Sequence, residues 1–219
     1  MGKLDLQTLT ASTIHELKNL LGQLTLSLDE ITQIGCPGAD EKLSGARFAC
    51  RRISDRMVEL LALYKLEGSP DTTSVDAHSP ADFVEDLQCE ASALAAGRIT
   101  VENACADGPS YWFFDRDLVQ GALMNAMHNA LDHANGRIVV RSYESDGGLV
   151  FSVEDDGPGF SAELLQSDLS APRISHKGAG LGLYFAQMVA QAHKNKGRTG
   201  YVKLANAPQG GAVFSLWVP

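Results

Sequence analysis

The sequence predicts an α+β chain in two parts: a helical hairpin that pairs with a second copy as a four-helix bundle, then an α/β sandwich. Three observations predict it. Apolar residues Ile14, Leu17, Leu21, Leu24, Leu28 and Ile31 recur in alternating steps of three and four, a heptad seam. A second seam of the same kind follows at Leu43, Ala46, Cys50, Ile53, Met57, Leu60 and Tyr64. Beyond a stretch rich in Gly, Ser, Thr, Asp and Pro, helical and strand patterns mix, and the chain closes on antiparallel hairpins.

The first helix is expected from about Leu4 to Ile34, where Gly35-Cys36-Pro37-Gly38 breaks it. Two long helices joined by so short a loop make a hairpin. One hairpin cannot cover its own wide apolar face, so a homodimer is expected. This hairpin domain spans residues 1–67 and a linker residues 68–79. The second domain spans 80–219. It opens with Ser79-Pro80 starting a helix to about Ala96, with proline at a first-turn position. Short strands are expected at Ile99–Ala104 and Tyr111–Phe114, and a helix at Asp115–Ala134. Alternation then predicts strands at Arg137–Tyr143 and Leu149–Glu154 around the turn Asp146-Gly147-Gly148. Residues 161–179 carry no regular pattern. A helix at Leu181–His193 precedes a last hairpin, Tyr201–Asn206 and Ala212–Val218, around Gln209-Gly210-Gly211.

The chain has 219 residues, 44% of them hydrophobic, and a net charge of −9, which argues against nucleic acid as a partner. The charge is uneven. Residues 1–67 hold eight basic and nine acidic groups, residues 68–219 ten and eighteen. The second helix carries Lys42, Arg47, Arg51, Arg52, Arg56 and Lys65 against Asp55 and Glu59. That is either a solvated face or a docking face for an acidic partner. No apolar run approaches the roughly 18 residues of a membrane helix, and the N-terminus is no secretory signal. No membrane role is expected. Cys36, Cys50, Cys89 and Cys105 form no CxxC pair, so reduced thiols and a cytoplasmic location are expected.

The chemistry concentrates in four motifs. His15 stands two residues before Leu17, about 200° around the helix, so its imidazole points away from the seam. Glu16 is beside it, and Asn19 and Gly22 lie four and seven residues on. A histidine with an acid beside it and little bulk above it is placed to react. Asn125 and Asn129, four apart in Asn125-Ala126-Met127-His128-Asn129-Ala130, share a helix face, and an amide oxygen there suits Mg²⁺. Asp155-Asp156-Gly157-Pro158-Gly159 ends a strand. It is either a plain turn, or a carboxylate for an exocyclic amine with glycines that admit backbone close to a base. Gly178-Ala179-Gly180-Leu181-Gly182-Leu183 opens a helix. It is either a flexible loop or a phosphate cradle of free N–H groups at a positive helix end.

In order and spacing, these motifs resemble the two-component sensor histidine kinases, within the wider family of ATPases with a Bergerat-type fold. The resemblance covers nearly the whole chain. It implies that His15 is the phosphorylated residue and Glu16 its proton acceptor. It implies that Asn129 holds Mg²⁺, with Asn125 in the same box, and that Asp155 reads adenine beside Gly157 and Gly159. Gly178, Gly180 and Gly182, with Leu181, would line the triphosphate of ATP behind a mobile lid. Lid cations Arg173, His176 and Lys177 are either γ-phosphate contacts or ordinary loop charges. Related ATP hydrolases carry a glutamate where this chain has Asn125. An amide cannot act as a general base, which favours transfer to a protein nucleophile over hydrolysis. The resemblance also implies a response-regulator receiver domain as partner, and Asn19 as a residue for dephosphorylating it.

The sequence departs from the family at four places. Asp132 stands where many members have a basic residue. Leu20-Leu21 replaces a helix-bending proline. No phenylalanine motif precedes Gly178. The chain begins almost at the phosphoacceptor helix, so a kinase with no attached sensor, or a piece of a longer one, is expected. Two rival readings stand beside the kinase. One is a histidine phosphotransferase of a phosphorelay with a vestigial ATP domain. The other is a non-enzymatic dimeric partner that binds a regulator.

Overall fold

The computed structural model describes residues 6–34, 39–68, 73–105, 108–171 and 179–219. The chain divides into two compact units, residues 1–65 and 66–219. In the first, α1 runs Leu6–Ile34 and α2 runs Asp40–Gly68, continuing into the second unit. Arg47 ties the two helices together. Its guanidinium lies 2.6 Å from Asp29 and donates to Thr32 Oγ1 at 3.0 Å. The seam residues Leu17, Leu24 and Ile31, with Leu20 and Leu26 beside them, stay exposed in the single chain.

The second unit begins at Leu66, two residues before the expected linker, and that linker carries strand β1 (Asp76–His78). Three residues are too few to show a period, so the sequence could not reveal it. Helix α3 (Pro80–Ala95) starts where expected. Ser79 caps it by accepting from the Asp82 N–H at 3.2 Å, and Pro80 fills the first turn. Strands β2 (Thr100–Asn103) and β3 (Trp112–Phe114) follow, and β3 pairs antiparallel with β1. Helix α4 (Arg116–His133) is capped by Asp115, whose Oδ1 accepts from the Leu118 N–H at 3.1 Å.

Strands β4 (Arg137–Ser145) and β5 (Gly148–Asp155) form the expected hairpin. A short helix, α5 (Ala162–Leu165), falls in the stretch expected to be irregular. Helix α6 runs Ala179–Ala192, starting two residues earlier than expected. A small ribbon absent from the sequence reading, β6 (Lys194–Asn195) with β7 (Arg198–Thr199), precedes β8 (Tyr201–Asn206) and β9 (Ala212–Val218).

The main sheet has the order β2-β4-β5-β9-β8. Only the β2–β4 pair is parallel. Helix α3 packs on β2 and β4, α4 on β5 and β9, and α6 on β8 and β9. The strands supply the helix-facing side in alternate positions: Ile138 and Val140, then Leu149, Phe151 and Val153, then Phe214, Leu216 and Val218, all buried. Phe83, Phe114 and Phe151 meet edge-to-face with centroids 5.2–5.3 Å apart. The row Leu149–Phe151–Val153 ends in Asp155. By the same alternation, this carboxylate lies on the apolar, helix-facing side.

Among the described residues no helix is long and apolar enough to cross a membrane, and no three His, Cys, Asp or Glu side chains gather as a metal site. Cys50, Cys89 and Cys105 are free thiols, and Cys36 lies outside the described residues.

Candidate nucleotide site

Between α4 and the end of β5 lies a cavity with about 470 Å³ of free space, counting its open mouth. Helix α4 lines it with Ala126, Asn129, Ala130 and His133, whose spacing of three, one and three puts them on one helix face. The sheet contributes Val153 and Asp155 from β5 with Ala212 and Phe214 from β9. Gly159 and Phe160, in the turn after β5, and Leu183 of α6 complete the wall. The lining is mostly apolar, with Asp155 and Asn129 as convergent polar groups.

Asp155 is fixed from two sides. Its Oδ1 accepts from the Gly157 N–H at 2.8 Å and from the Ala212 N–H at 3.2 Å. Its Oδ2 takes no hydrogen bond among the described residues, which leaves an acceptor for a ligand's amine. Two glycines let the backbone close around it. Gly211 has φ +102, and a Cβ there would stand 1.9 Å from the Asp155 carbonyl oxygen. A Cβ on Gly157 would stand 2.5 Å from the His133 carbonyl oxygen. Any side chain at either position would push the turn out of place.

Asp156, the next residue, has a different task. Its Oδ1 accepts from the N–H groups of Asn135 at 2.8 Å and Gly136 at 3.1 Å, so it holds the α4–β4 loop. Burial works against its ionisation. Backbone N–H donors, Gly136 first, outweigh that and hold its carboxyl below the usual range.

The expected site residues fall in different places. Asn129, Asp155 and Gly159 line one cavity, and Gly157 supports Asp155 from beside it. Asn125 does not line the cavity. It is buried one turn earlier, and its Nδ2 is enclosed without a hydrogen-bond partner among the described residues. Gly180, Leu181 and Gly182 lie in the first turn of α6 rather than in a loop before it. Lys177 and Gly178, with Arg173 and His176, lie outside the described residues.

His15 and Glu16 sit on α1, a helix of the first unit, and Asn19 on the same helix is exposed. The positive face of α2 is partly spent. Besides the Arg47–Asp29 pair, Arg56 lies 2.8 Å from Glu59.

Sequence reasoning missed His133, Phe160, Ala212 and Asn206. His133 was within reach, since it follows Asn129 by one helical turn. Phe160 directly follows Gly159, whereas Ala212 and Asn206 meet the site only through the sheet register, which no local pattern reveals. Asn206 grips the Phe160 backbone at both ends, accepting from its N–H at 2.7 Å and donating to its carbonyl at 2.9 Å.

Comparison with known proteins agrees with this geometry. Residues 114–219 match the family described as "Histidine kinase-, DNA gyrase B-, and HSP90-like ATPase". Among curated proteins, the chain is 26% identical over 222 residues to the sensor histidine kinase CpxA of Escherichia coli, covering 97% of this chain and 47% of that protein. It is 28% identical over 217 residues to the sensor-type histidine kinase PrrB of Mycobacterium tuberculosis, covering 95% and 47%. The chain thus spans about half the length of these relatives. Among solved structures, full-length ShkA in complex with AMPPNP superposes with a TM-score of 0.69 at 18% identity, over 97% of this chain and 45% of that one. The Acinetobacter baumannii histidine kinase AdeS gives 0.61 at 19%, over 93% and 96%. Fold, cavity and family match point the same way: residues 114–219 match the histidine kinase-, DNA gyrase B- and HSP90-like ATPases.

Proposed function

We propose that this chain is an ATP-dependent protein-histidine kinase that phosphorylates His15 and passes the phosphoryl group to an aspartate on a response-regulator receiver domain. One observation carries the reading. Asp155 ends an apolar strand row inside a cavity, tied down at one oxygen and open at the other, and Asn129, whose side chain takes no hydrogen bond among the described residues, lines the same cavity. That donor set fits an adenine nucleotide. The open carboxylate oxygen accepts from the exocyclic amine, apolar walls flank the base, and the amide oxygen of Asn129 suits Mg²⁺.

ATP bound there supplies the phosphoryl group, and Mg²⁺ the charge neutralisation that its transfer needs. The chain supplies the rest. An imidazole nitrogen of His15 forms the new N–P bond as the bond to ADP breaks, and Glu16 accepts the imidazole proton. Asn125, an amide where hydrolytic relatives have a carboxylate, cannot activate water. Gly178, Gly180, Leu181 and Gly182, with Lys177, are proposed to face the phosphates, where the N-terminus of α6 is favourable to anions.

The hairpin of α1 and α2 is proposed to pair with a second copy as a four-helix bundle. The exposed Leu17, Leu24 and Ile31 support this, since a lone hairpin leaves them in water. The receiver domain is proposed to land on this bundle, with Arg51 and Arg52 as charge partners. Arg47 and Arg56 are candidate charge partners on the same helix. The reaction is placed in the cytoplasm, where its nucleotide is.

The test is saturable binding of ATP to the purified protein, measured by calorimetry with Mg²⁺ present. Binding that Asp155→Asn weakens is the expected result. No binding by the parent protein would replace the kinase with a phosphorelay transferase carrying a vestigial domain.

A further inference from the structure

We propose that Asn206 is a positioning residue for the nucleotide cavity, holding the Gly159–Phe160 wall in the place that a base requires; this rests on the nucleotide reading above. Phe160 belongs to no helix or strand. The Asn206 amide takes the place of a neighbouring strand, meeting both Phe160 backbone groups at 2.7 and 2.9 Å. Gly159 makes the approach possible. Its φ is +80, and a Cβ there would stand 2.8 Å from Asn206 Oδ1.

The sheet register joins this clamp to the recognition carboxylate. Asn206 lies directly opposite Ala212 in the β8–β9 pair. Ala212 donates its N–H to Asp155 Oδ1 and lines the cavity. One cross-strand pair therefore fixes two walls: Ala212 holds Asp155, and Asn206 holds Phe160. Asn206 itself does not line the cavity, so it acts through the backbone it grips rather than by touching a ligand.

Without the clamp, residues 159–160 are free to leave the competent geometry, and apparent affinity falls in proportion to the competent fraction. Loss of both hydrogen bonds is expected to weaken binding about tenfold. Asn206→Asp keeps the acceptor for the Phe160 N–H and loses the donor to its carbonyl. Its second carboxylate oxygen then faces that carbonyl, so it should weaken binding at least as much as Asn206→Ala.

The experiment reads two quantities on the full chain: exchange protection of the Phe160 amide by NMR in nucleotide-free protein, and ADP affinity by calorimetry. Asn206→Ala is expected to lose Phe160 protection and to bind ADP about tenfold more weakly, and Asn206→Asp to lose at least as much ADP affinity. Arg198→Ala is the structural control. It releases the Arg198 guanidinium from the carbonyls of Asp146 and Gly147, away from the cavity. It should lower the unfolding temperature and leave ADP affinity unchanged. Unchanged Phe160 protection or unchanged ADP affinity in Asn206→Ala, with the parent binding ADP, overturns this assignment and spares the nucleotide reading. A parent that binds no ADP overturns both. Should Asn206→Ala fail to fold, Asn206→Asp decides the matter by ADP affinity.

Discussion

Asp155→Asn separates recognition of the base from support of the turn. In the parent protein Oδ1 already accepts two backbone N–H groups, from Gly157 and Ala212, and Oδ2 is open. An asparagine that keeps its oxygen on those two donors turns its NH₂ toward the cavity. The acceptor for the adenine amine becomes a donor, and the two donors face each other. A hydrogen bond involving a charged group is worth about 1.5–3 kcal/mol, so ATP affinity should fall about 10- to 150-fold. The chemistry of the base sharpens the test. Inosine triphosphate presents a carbonyl where ATP presents an amine, so the parent should reject it and the variant should not. Calorimetry of both nucleotides on both proteins, with melting curves alongside, gives the answer. The expected result is a preference for ATP that collapses or reverses in Asp155→Asn. An equal loss of affinity for both nucleotides, tracking a lowered melting temperature, would mean that Asp155 only supports the turn.

Other outcomes follow from the same geometry. Asn129→Ala should leave metal-free nucleotide binding nearly intact and remove most of its enhancement by Mg²⁺, read by titration with and without the metal. Burial lowers the pKa of His193 below its usual value, against the pull of the Val189 carbonyl and the Asp115 carboxylate; its Nε2 accepts the Asp115 N–H at 2.9 Å. The unfolded chain therefore binds that proton more readily. Stability is complete above the ordinary histidine pKa of about 6.5 and falls as the pH drops below it, a slope that denaturant melts should find flattened in His193→Gln. Reversing Arg51 and Arg52 to Glu should slow phosphotransfer to a cognate receiver domain at low salt and spare autophosphorylation, as stopped quench time courses would show. Asn19→Ala should cut dephosphorylation of that receiver more than phosphorylation of His15.

Much of the fold was legible because its elements are periodic. The seams of α1 and α2, the Ser79-Pro80 start of α3 and the alternating hairpin of β4 and β5 each carry their own local signal. What escaped was short or non-local. Strand β1 has three residues, and each strand of the β6–β7 ribbon has two. The site divides the same way. Asn129 and Asp155 announce themselves by spacing and by position at a strand end. Asn125, expected in the same box as Asn129, lies buried one helical turn before it. Asn206 is 46 residues from Phe160, and only the register of β8 on β9 brings it to the site.

The central claim is that nucleotide held at Asp155 serves phosphorylation of His15. Its most direct measurement is incubation of the full chain with Mg-ATP labelled in the γ-phosphate, followed by peptide mapping at alkaline pH. The account predicts one acid-labile, alkali-stable phosphate on the peptide carrying His15, lost in His15→Gln and sharply reduced in Asp155→Asn. Label that persists in His15→Gln, or label that is indifferent to Asp155→Asn, would contradict it.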